Sequence, residues 1–181
     1  MWTSILYLRT NVFIMIESTE KKEVKINKAL NVYLKKLELK GEFHLQSKEM
    51  TYRKFFTNRM LLIKSIRYGI PFSLFKQIKE ITPFSENDWA LFLDISTKSL
   101  QRYKKESDYV FKPAHTEKII ELAEVTNLGQ DIFDSPEQFY TWLNSPSLAF
   151  GNLKPIELLK DSYGKEMVMN ELSRIDQGIF V

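Results

Sequence analysis

The chain has 181 residues, of which 44% are hydrophobic and 27% are charged, and this composition is typical of a globular protein of one or two domains. It contains no cysteine, which excludes a disulfide framework and a cysteine-based zinc site and is compatible with the cytoplasm. Residues 1–112 carry a net charge of +9 (21 Lys and Arg against 12 Asp and Glu) and residues 113–181 a net −6 (5 against 11), so the first part suits a polyanionic partner, unless both parts are simply solvated surfaces.

The first sixteen residues are apolar apart from interruptions at Arg9 and Asn11. They are too short to span a bilayer, and neither a basic start nor a small-residue cleavage site marks a signal peptide. We therefore expect no membrane attachment. A strand, an initial helix, or a start codon placed upstream of Met15 would each explain this segment.

Two basic helical stretches are predicted next, over Ser18–Lys40 and over Glu49–Tyr68, and Gly41 ends the first. Alternation typical of long strands is missing from the chain, so we predict an all-α fold in which residues 1–69 form a helical extension of open function. The expected core side chains of the two stretches are Val24, Leu30, Leu34, Leu37, Phe55, Phe56, Met60, Leu61 and Ile63.

A break at Gly69-Ile70-Pro71 separates these stretches from a series of short helices. Each of four predicted helices starts at a serine or threonine, the residues preferred at helix N-caps because their hydroxyl accepts a free backbone N–H. The four helices are predicted over Ser73–Ile81, Ser85–Leu93, Ser96–Glu106 and Thr116–Thr126.

Residues 84–107, FSENDWALFLDISTKSLQRYKKES, have the length and pattern of a helix-turn-helix. The first helix is predicted to bury Trp89, Phe92 and Leu93. A short turn at Asp94-Ile95 leads to the second helix, in which Leu100 and Tyr103 are predicted to face inward.

The opposite face of the second helix is predicted to bind DNA. Lys98, Gln101, Arg102 and Lys105 follow the spacing i, i+3, i+4 and i+7, so they share one side, with Thr97 at the helix start. Arg and Gln can read base edges, whereas Lys mainly contacts phosphates. Lys104 and Arg67 are weaker candidates for backbone contact. The alternative is a helical hairpin with a solvated basic face that never touches DNA.

The last fifty residues alternate helix signals with tight turns. Ser135-Pro136 predicts a helix start, and Gly151-Asn152 predicts a turn with positive φ. Pro155 is predicted to start a helix that Gly164 ends, and a last helix is predicted over Lys165–Gln177, capped by Gly178. The expected core side chains are Phe139, Trp142, Leu143, Ile156, Leu158, Leu159, Val168, Leu172 and Ile175.

This segment resembles the toxin-binding domain of the Xre/MbcA/ParS antitoxins. The resemblance rests on FYTWL, a glycine turn, KPIELL, Gly164, and V-x-x-x-L-x-R-I-x-x-G from Val168 to Gly178. The preceding helix-turn-helix, with SLQRYKKES, resembles the Xre-like domain of the same family. Relatives often carry two glycines in the turn where this chain has Gly151-Asn152. The resemblance covers residues 70–181 and implies an Xre-like domain over 70–128 and a toxin-binding domain over 129–181.

The resemblance implies a cognate RES-domain toxin, which consumes or transfers from NAD, as the protein partner, and operator DNA as a second partner. It implies that the C-terminal end blocks the toxin's active-site cleft and that the complex represses its own operon. Helix-turn-helix proteins commonly bind two half-sites, so a homodimer within a larger complex is expected. Carried over by position, the implied toxin-binding residues are Arg174, Asp176, Gln177 and Gly178, with Asn152 and Lys154 as weaker candidates. Arg174 could instead cap its helix or form a salt bridge within the chain.

Two other functions stay open from the sequence. One is a dimeric helix-turn-helix repressor without a toxin partner. The other is an enzyme, but the only histidines are His44 and His115, and glycine-rich phosphate loops and HExxH-type metal motifs are absent. We therefore expect a binding protein rather than an enzyme, with no cofactor and no metal.

Overall fold

The computed structural model describes residues 2–41, 49–106 and 108–179, and the side chains of its first helix from Glu20 onward. The regular elements within these residues are all helices, with one isolated antiparallel bridge between Pro71 and Val110, so the predicted all-α fold is confirmed. None of the described helices is long and apolar enough to cross a membrane. The elements are α1 (Trp2–Leu39), α2 (Tyr52–Phe55), α3 (Arg59–Tyr68), α4 (Phe72–Ile81), α5 (Glu86–Phe92), α6 (Thr97–Lys105), α7 (Pro113–Ile132), α8 (Pro136–Asn144), a 3₁₀ turn (Leu148–Phe150), α9 (Pro155–Leu158) and α10 (Ser162–Asp176).

The long helix α1 packs against α4 and α2. Its buried stripe includes Ile26, Leu30, Leu34 and Leu37, which repeat every three or four residues. Val24 was expected in this stripe, but it is 67% exposed. Val24 lies two residues before Ile26 and therefore about 200° away around the helix.

Two asparagines of α1 hold the chain that leads into α2. The Asn31 side chain accepts from the Met50 N–H at 2.9 Å and donates to the Met50 carbonyl at 2.8 Å. The Asn27 side-chain oxygen accepts from the Tyr52 N–H at 2.7 Å. These bonds tie the N-terminal extension to the start of the next segment by specific polar contacts as well as by apolar burial.

The single helix expected over Glu49–Tyr68 is two helices, α2 and α3, separated by a turn. Asn58 starts α3 as its N-cap, because its side chain accepts from the Leu61 N–H at 3.1 Å. This start sets which side of α3 faces the core. Leu61 is buried as expected, but Met60 is 61% exposed and Ile63 is also exposed, so these two core predictions were wrong.

Ser85 and Ser96 are the N-caps of α5 and α6, as predicted. Ser85 accepts from the Asp88 N–H at 3.2 Å while the Asp88 carboxylate accepts from the Ser85 N–H at 2.8 Å, which completes a capping box. Ser96 accepts from the Ser99 N–H at 3.1 Å. The helix-turn-helix therefore has the element boundaries that its sequence indicates.

The other two predicted helix starts were wrong. Helix α4 begins at Phe72, one residue before Ser73, with Pro71 at the N-cap position. Helix α7 begins at Pro113 because proline is well suited to the first helical turn, where its missing N–H costs no hydrogen bond.

Thr116 is consequently a buried residue inside α7 rather than its cap. Its hydroxyl donates to the Phe111 carbonyl at 3.2 Å and accepts from the Ile70 N–H at 3.0 Å. The Phe111 N–H in turn donates to the Ile70 carbonyl at 2.9 Å. Gly69 makes this close approach possible, since it has φ of +84° and a Cβ there would lie 2.3 Å from the Phe111 carbonyl oxygen.

Gly164 lies inside α10 and does not end the preceding helix, so that prediction was also wrong. Helix α9 stops at Leu158, and Asp161 starts α10 by accepting from the Gly164 N–H at 2.8 Å. A Cβ at position 164 would lie 2.0 Å from the Leu158 carbonyl oxygen. Glycine is therefore required by the close contact between α10 and the end of α9.

Helix α10 packs along α7, and α7 also packs against α3. Polar contacts accompany this packing: the Ser162 hydroxyl donates to Glu121 at 2.9 Å, and the Lys118 ammonium donates to the Leu159 carbonyl at 3.2 Å. The boundary predicted after residue 128 falls within α7, which runs without interruption to Ile132. The division into residues 1–69, 70–128 and 129–181 stays a prediction.

Candidate interaction surfaces

The helix-turn-helix is held by an aromatic and aliphatic interior that leaves one side of α6 free. Trp89, Phe92 and Leu93 are buried as predicted, and the Trp89 ring packs edge-on against Phe75 with centroids 5.0 Å apart. Leu100 anchors α6 from the same side. The predicted inner position of Tyr103 is half-buried, where its ring stacks on another tyrosine of the following loop, Tyr109, with centroids 3.7 Å apart.

The five predicted DNA-binding residues all lie on exposed positions of α6: Thr97, Lys98, Gln101, Arg102 and Lys105. The helix thus presents a cationic side to solvent. Arg102 is partly engaged within the chain, because its Nε lies 3.8 Å from a Glu106 oxygen and its guanidinium lies over the Tyr103 ring, 5.4 Å from the centroid. Exposed pairs of this kind contribute about 0–1 kcal/mol and can be exchanged for a partner's groups.

An acidic side chain from α5 joins this surface, although none of the five DNA-binding residues predicted on α6 is acidic. Glu86 accepts a hydrogen bond from the Gln101 side-chain amide and pairs with the Lys79 ammonium of α4 at 2.8 Å. Hydrogen bonds from Lys79 and Gln101 hold the pKa of Glu86 below its usual value. The sequence did not reveal the contact between Glu86 and Gln101 because the two residues lie 15 positions apart in the chain.

A cleft of about 210 Å³ lies beside these three residues, between α4 and α6. Its floor includes Phe72 and Leu100, and its walls carry the ammonium groups of Lys76, Lys79 and Lys104. Among the described residues, no group of three or more His, Cys, Asp or Glu side chains could hold a metal ion.

The C-terminal end of α10 is closed by a Schellman motif, which confirms Gly178 as its cap. The Ile179 N–H donates to the Arg174 carbonyl at 2.9 Å, and the Gly178 N–H donates to the Ile175 carbonyl at 2.9 Å. Gly178 has φ of +71°, which glycine adopts without strain. The motif fixes the direction in which the chain leaves α10.

One side of α10 faces the protein and the other faces solvent. Val168 and Leu172 are completely buried. Tyr163, at 84% exposure, and Met167, at 47%, lie with Arg174 and Gln177 within an arc of about 80° on the opposite side. We call Tyr163, Met167, Arg174 and Gln177 the outer stripe of α10.

Tyr163 and Met167 were missed by the sequence reasoning, although they precede Arg174 by eleven and seven residues, a helical spacing that could have identified them. Arg174 is half-buried and its Nη1 lies 3.5 Å from a Glu171 carboxylate oxygen, so the intramolecular pair considered for it is present. Its side chain is nevertheless 43% exposed and available for an exchange of partners.

The remaining predicted toxin-binding residues lie elsewhere on the module. Asp176 is exposed but about 140° around the helix from Tyr163. Asn152 has φ of +69°, as the turn prediction required, and its N–H donates to the Ser147 carbonyl at 2.9 Å. Lys154 is exposed at the N-cap position of α9. The structure thus groups Arg174 and Gln177 on the outer stripe, and it places Asn152 and Lys154 on a separate turn.

Two family models match the chain, one over each of these surfaces. The model described as the antitoxin Xre-like helix-turn-helix domain matches residues 61–124, which include α5 and α6. The model described as the antitoxin Xre/MbcA/ParS C-terminal toxin-binding domain matches residues 128–178, which include α8 to α10.

Named relatives have the same character. A Prs ADP-ribosylating antitoxin of Sphingobium sp. is 31% identical over 74 residues, 36% of this chain and 46% of that protein, so the chain spans about half the length of this relative. Antitoxin Xre of Yersinia enterocolitica is 24% identical over 121 residues, 66% of this chain and 81% of that protein. A chain in the crystal structure of the M. tuberculosis MbcT-MbcA toxin-antitoxin complex shares the fold, with a TM-score of 0.50, 21% identity, and coverage of 59% of this chain and 94% of that one.

Proposed function

Because this chain belongs to the Xre/MbcA/ParS antitoxin family, we propose that it binds and neutralises a cognate toxin and represses its own operon. The toxin is proposed to be a RES-domain protein that consumes NAD or transfers ADP-ribose from it. The observation that most strongly supports toxin binding is the exposed outer stripe of α10, which lies within the region that matches the toxin-binding domain.

The outer stripe has the composition of a protein interface. An exposed tyrosine and a methionine supply apolar area, and aromatic residues, methionine and arginine are enriched in interface cores. Arg174 adds a planar, permanently charged guanidinium group that can form two parallel hydrogen bonds with one carboxylate or phosphate group. We propose that the outer stripe (Tyr163, Met167, Arg174 and Gln177) binds the toxin. Asp176 and Gly178 would contact it where the chain leaves α10, and Asn152 and Lys154 would lie at the edge of the contact.

The same chain is proposed to bind operator DNA through α6. Thr97, Lys98, Gln101, Arg102 and Lys105 would enter the major groove, and the basic charge of residues 1–112 would favour the approach to phosphates. We propose that a homodimer presents two such helices to two half-sites while each C-terminal module carries a toxin. The chain would act in the cytoplasm, by binding and without catalysis of its own.

Neutralisation can be tested by co-expressing the chain with the toxin encoded beside it in the genome. We expect Tyr163→Asp and Arg174→Asp to release growth inhibition, because each places a charge of the wrong kind on the outer stripe. Lys160→Asp is the matched control, since Lys160 is an exposed cation of the same module and lies outside the proposed contact. Full protection by both stripe variants would refute this toxin contact.

A further inference from the structure

We propose that Glu86 is a positioning residue for base recognition, which orients the Gln101 side-chain amide so that it reads an adenine in the major groove. This inference rests on the proposed binding of DNA by α6. It concerns a residue of α5 that would not itself touch a base.

Three side chains from three helices are joined by two successive polar contacts, and we call this arrangement the relay. The Lys79 ammonium of α4 contacts one carboxylate oxygen of Glu86 at 2.8 Å. The other carboxylate oxygen accepts from the Nε2 of Gln101 on α6. The Glu86 carboxylate is thus fixed by the Lys79 ammonium on one oxygen, and its other oxygen holds the exposed Gln101 side chain.

The chemistry of a carboxylate decides which way the amide turns. An ionised carboxylate only accepts hydrogen bonds, so the NH₂ group of Gln101, rather than its oxygen, must face Glu86. The bonds from Lys79 and Gln101 also hold the pKa of Glu86 below its usual value, in keeping with a carboxylate that is ionised at neutral pH.

This orientation leaves a useful pair of groups on Gln101. Its NH₂ carries two hydrogens, and Glu86 engages one of them, so the second N–H and the side-chain oxygen are both free to point outward. A glutamine presents this donor and acceptor pair to N7 and the N6 amino group of adenine. The relay fixes the side chain in advance and so reduces the conformational entropy that Gln101 would lose on contact with a base.

The alternative is that the Glu86 carboxylate affects DNA binding solely by repelling phosphates. A second acid in the same cleft allows this electrostatic effect to be separated from the orientation of Gln101. Glu80 lines the same cleft beside Lys76 and Lys79 and is exposed. Glu80→Gln removes the same charge as Glu86→Gln. A purely electrostatic role predicts equal effects of the two variants on DNA affinity and no effect on base preference.

The test uses the full chain and the DNA segment upstream of its own coding sequence. Binding is measured by fluorescence anisotropy for the footprinted site and for single base-pair replacements across it. We expect Glu86→Gln to reduce the preference for adenine at one position about tenfold, because a neutral amide both donates and accepts and no longer selects one orientation of Gln101. Glu80→Gln should keep that preference. Circular dichroism is used to check that both variants are folded.

A double-mutant cycle with Gln101→Ala gives a readout that a loss of folding would not produce. In the Gln101→Ala background, Glu86→Gln should leave base preference unchanged. Equal base preference of the Glu86→Gln variant and the wild type would overturn the positioning role while DNA binding by α6 stands. If the wild type binds no DNA, the proposed repressor function fails, and the positioning role fails with it.

Discussion

Gly164→Ala should destabilise the protein, because the added methyl group has no room. Its Cβ would lie 2.0 Å from the Leu158 carbonyl oxygen, 2.7 Å from the carbonyl carbon and 2.9 Å from the Cα. Ordinary contacts begin at 3.4 Å, so α10 must move away from the end of α9 by more than about 1 Å. The obstacle is backbone, which cannot turn aside as a flexible side chain would.

The expected cost follows from two opposing effects. Overpacking of a filled interior costs about 1–3 kcal/mol, and a backbone obstacle places this substitution near the upper end. Alanine gains up to about 1 kcal/mol over glycine in helix propensity. We therefore expect a net loss of about 2 kcal/mol in the free energy of unfolding.

Urea unfolding followed by circular dichroism measures this loss. Asn170→Ala is the matched control, since Asn170 is an exposed residue of the same helix and should change stability by less than about 0.5 kcal/mol. If Gly164→Ala is as stable as the wild type, the close approach of α9 and α10 described for this module is incorrect.

Three further predictions concern the buried threonine, the DNA surface and the response to pH. Thr116→Val removes the hydroxyl that accepts from the buried Ile70 N–H and should cost about 1–3 kcal/mol in urea unfolding, whereas the exposed Thr141→Val should be nearly neutral. Arg102→Ala should weaken operator binding by about 1–3 kcal/mol and leave toxin neutralisation intact, and the opposite pattern would contradict the assignment of α6. Burial and Lys112 lower the pKa of His115, so the folded state resists its protonation and the free energy of unfolding should fall as pH drops below about 6.5. His115→Asn should flatten that dependence, and an unchanged pH profile of unfolding would show that His115 does not contribute.

Local patterns predicted much of the fold. The caps Ser85 and Ser96, the positive φ of the Gly151-Asn152 turn and the Gly178 cap all depend on a few neighbouring residues, and the structure confirms them. Each has a chemical signature that is readable within about four positions of the chain.

The failures have a different physical origin. A glycine at position 164 is compatible both with the end of a helix and with a close backbone contact, and the sequence does not distinguish the two. Only the position of Leu158 in the fold does so. Met60 and Ile63 were assigned to the core because the interruption before α3, which sets its rotational phase, was not recognised.

The interaction surfaces were predicted in part for the same reason. The exposed residues of α6 follow from helical spacing, and the structure places all five on its surface. Glu86 reaches Gln101 across a tertiary contact that no local pattern reveals. Tyr163 became a candidate only when its 84% exposure showed that this side of α10 has no cover within the described residues.

The most direct test of the account is a pull-down from native lysate with the wild-type chain, the Tyr163→Asp variant and the Lys160→Asp control. We predict that the wild type and the control recover one stoichiometric partner that consumes NAD once it is freed, and that Tyr163→Asp loses this partner while it still binds operator DNA. Recovery of only DNA and the chain itself by all three forms would contradict the antitoxin function and would leave a dimeric repressor as the working hypothesis.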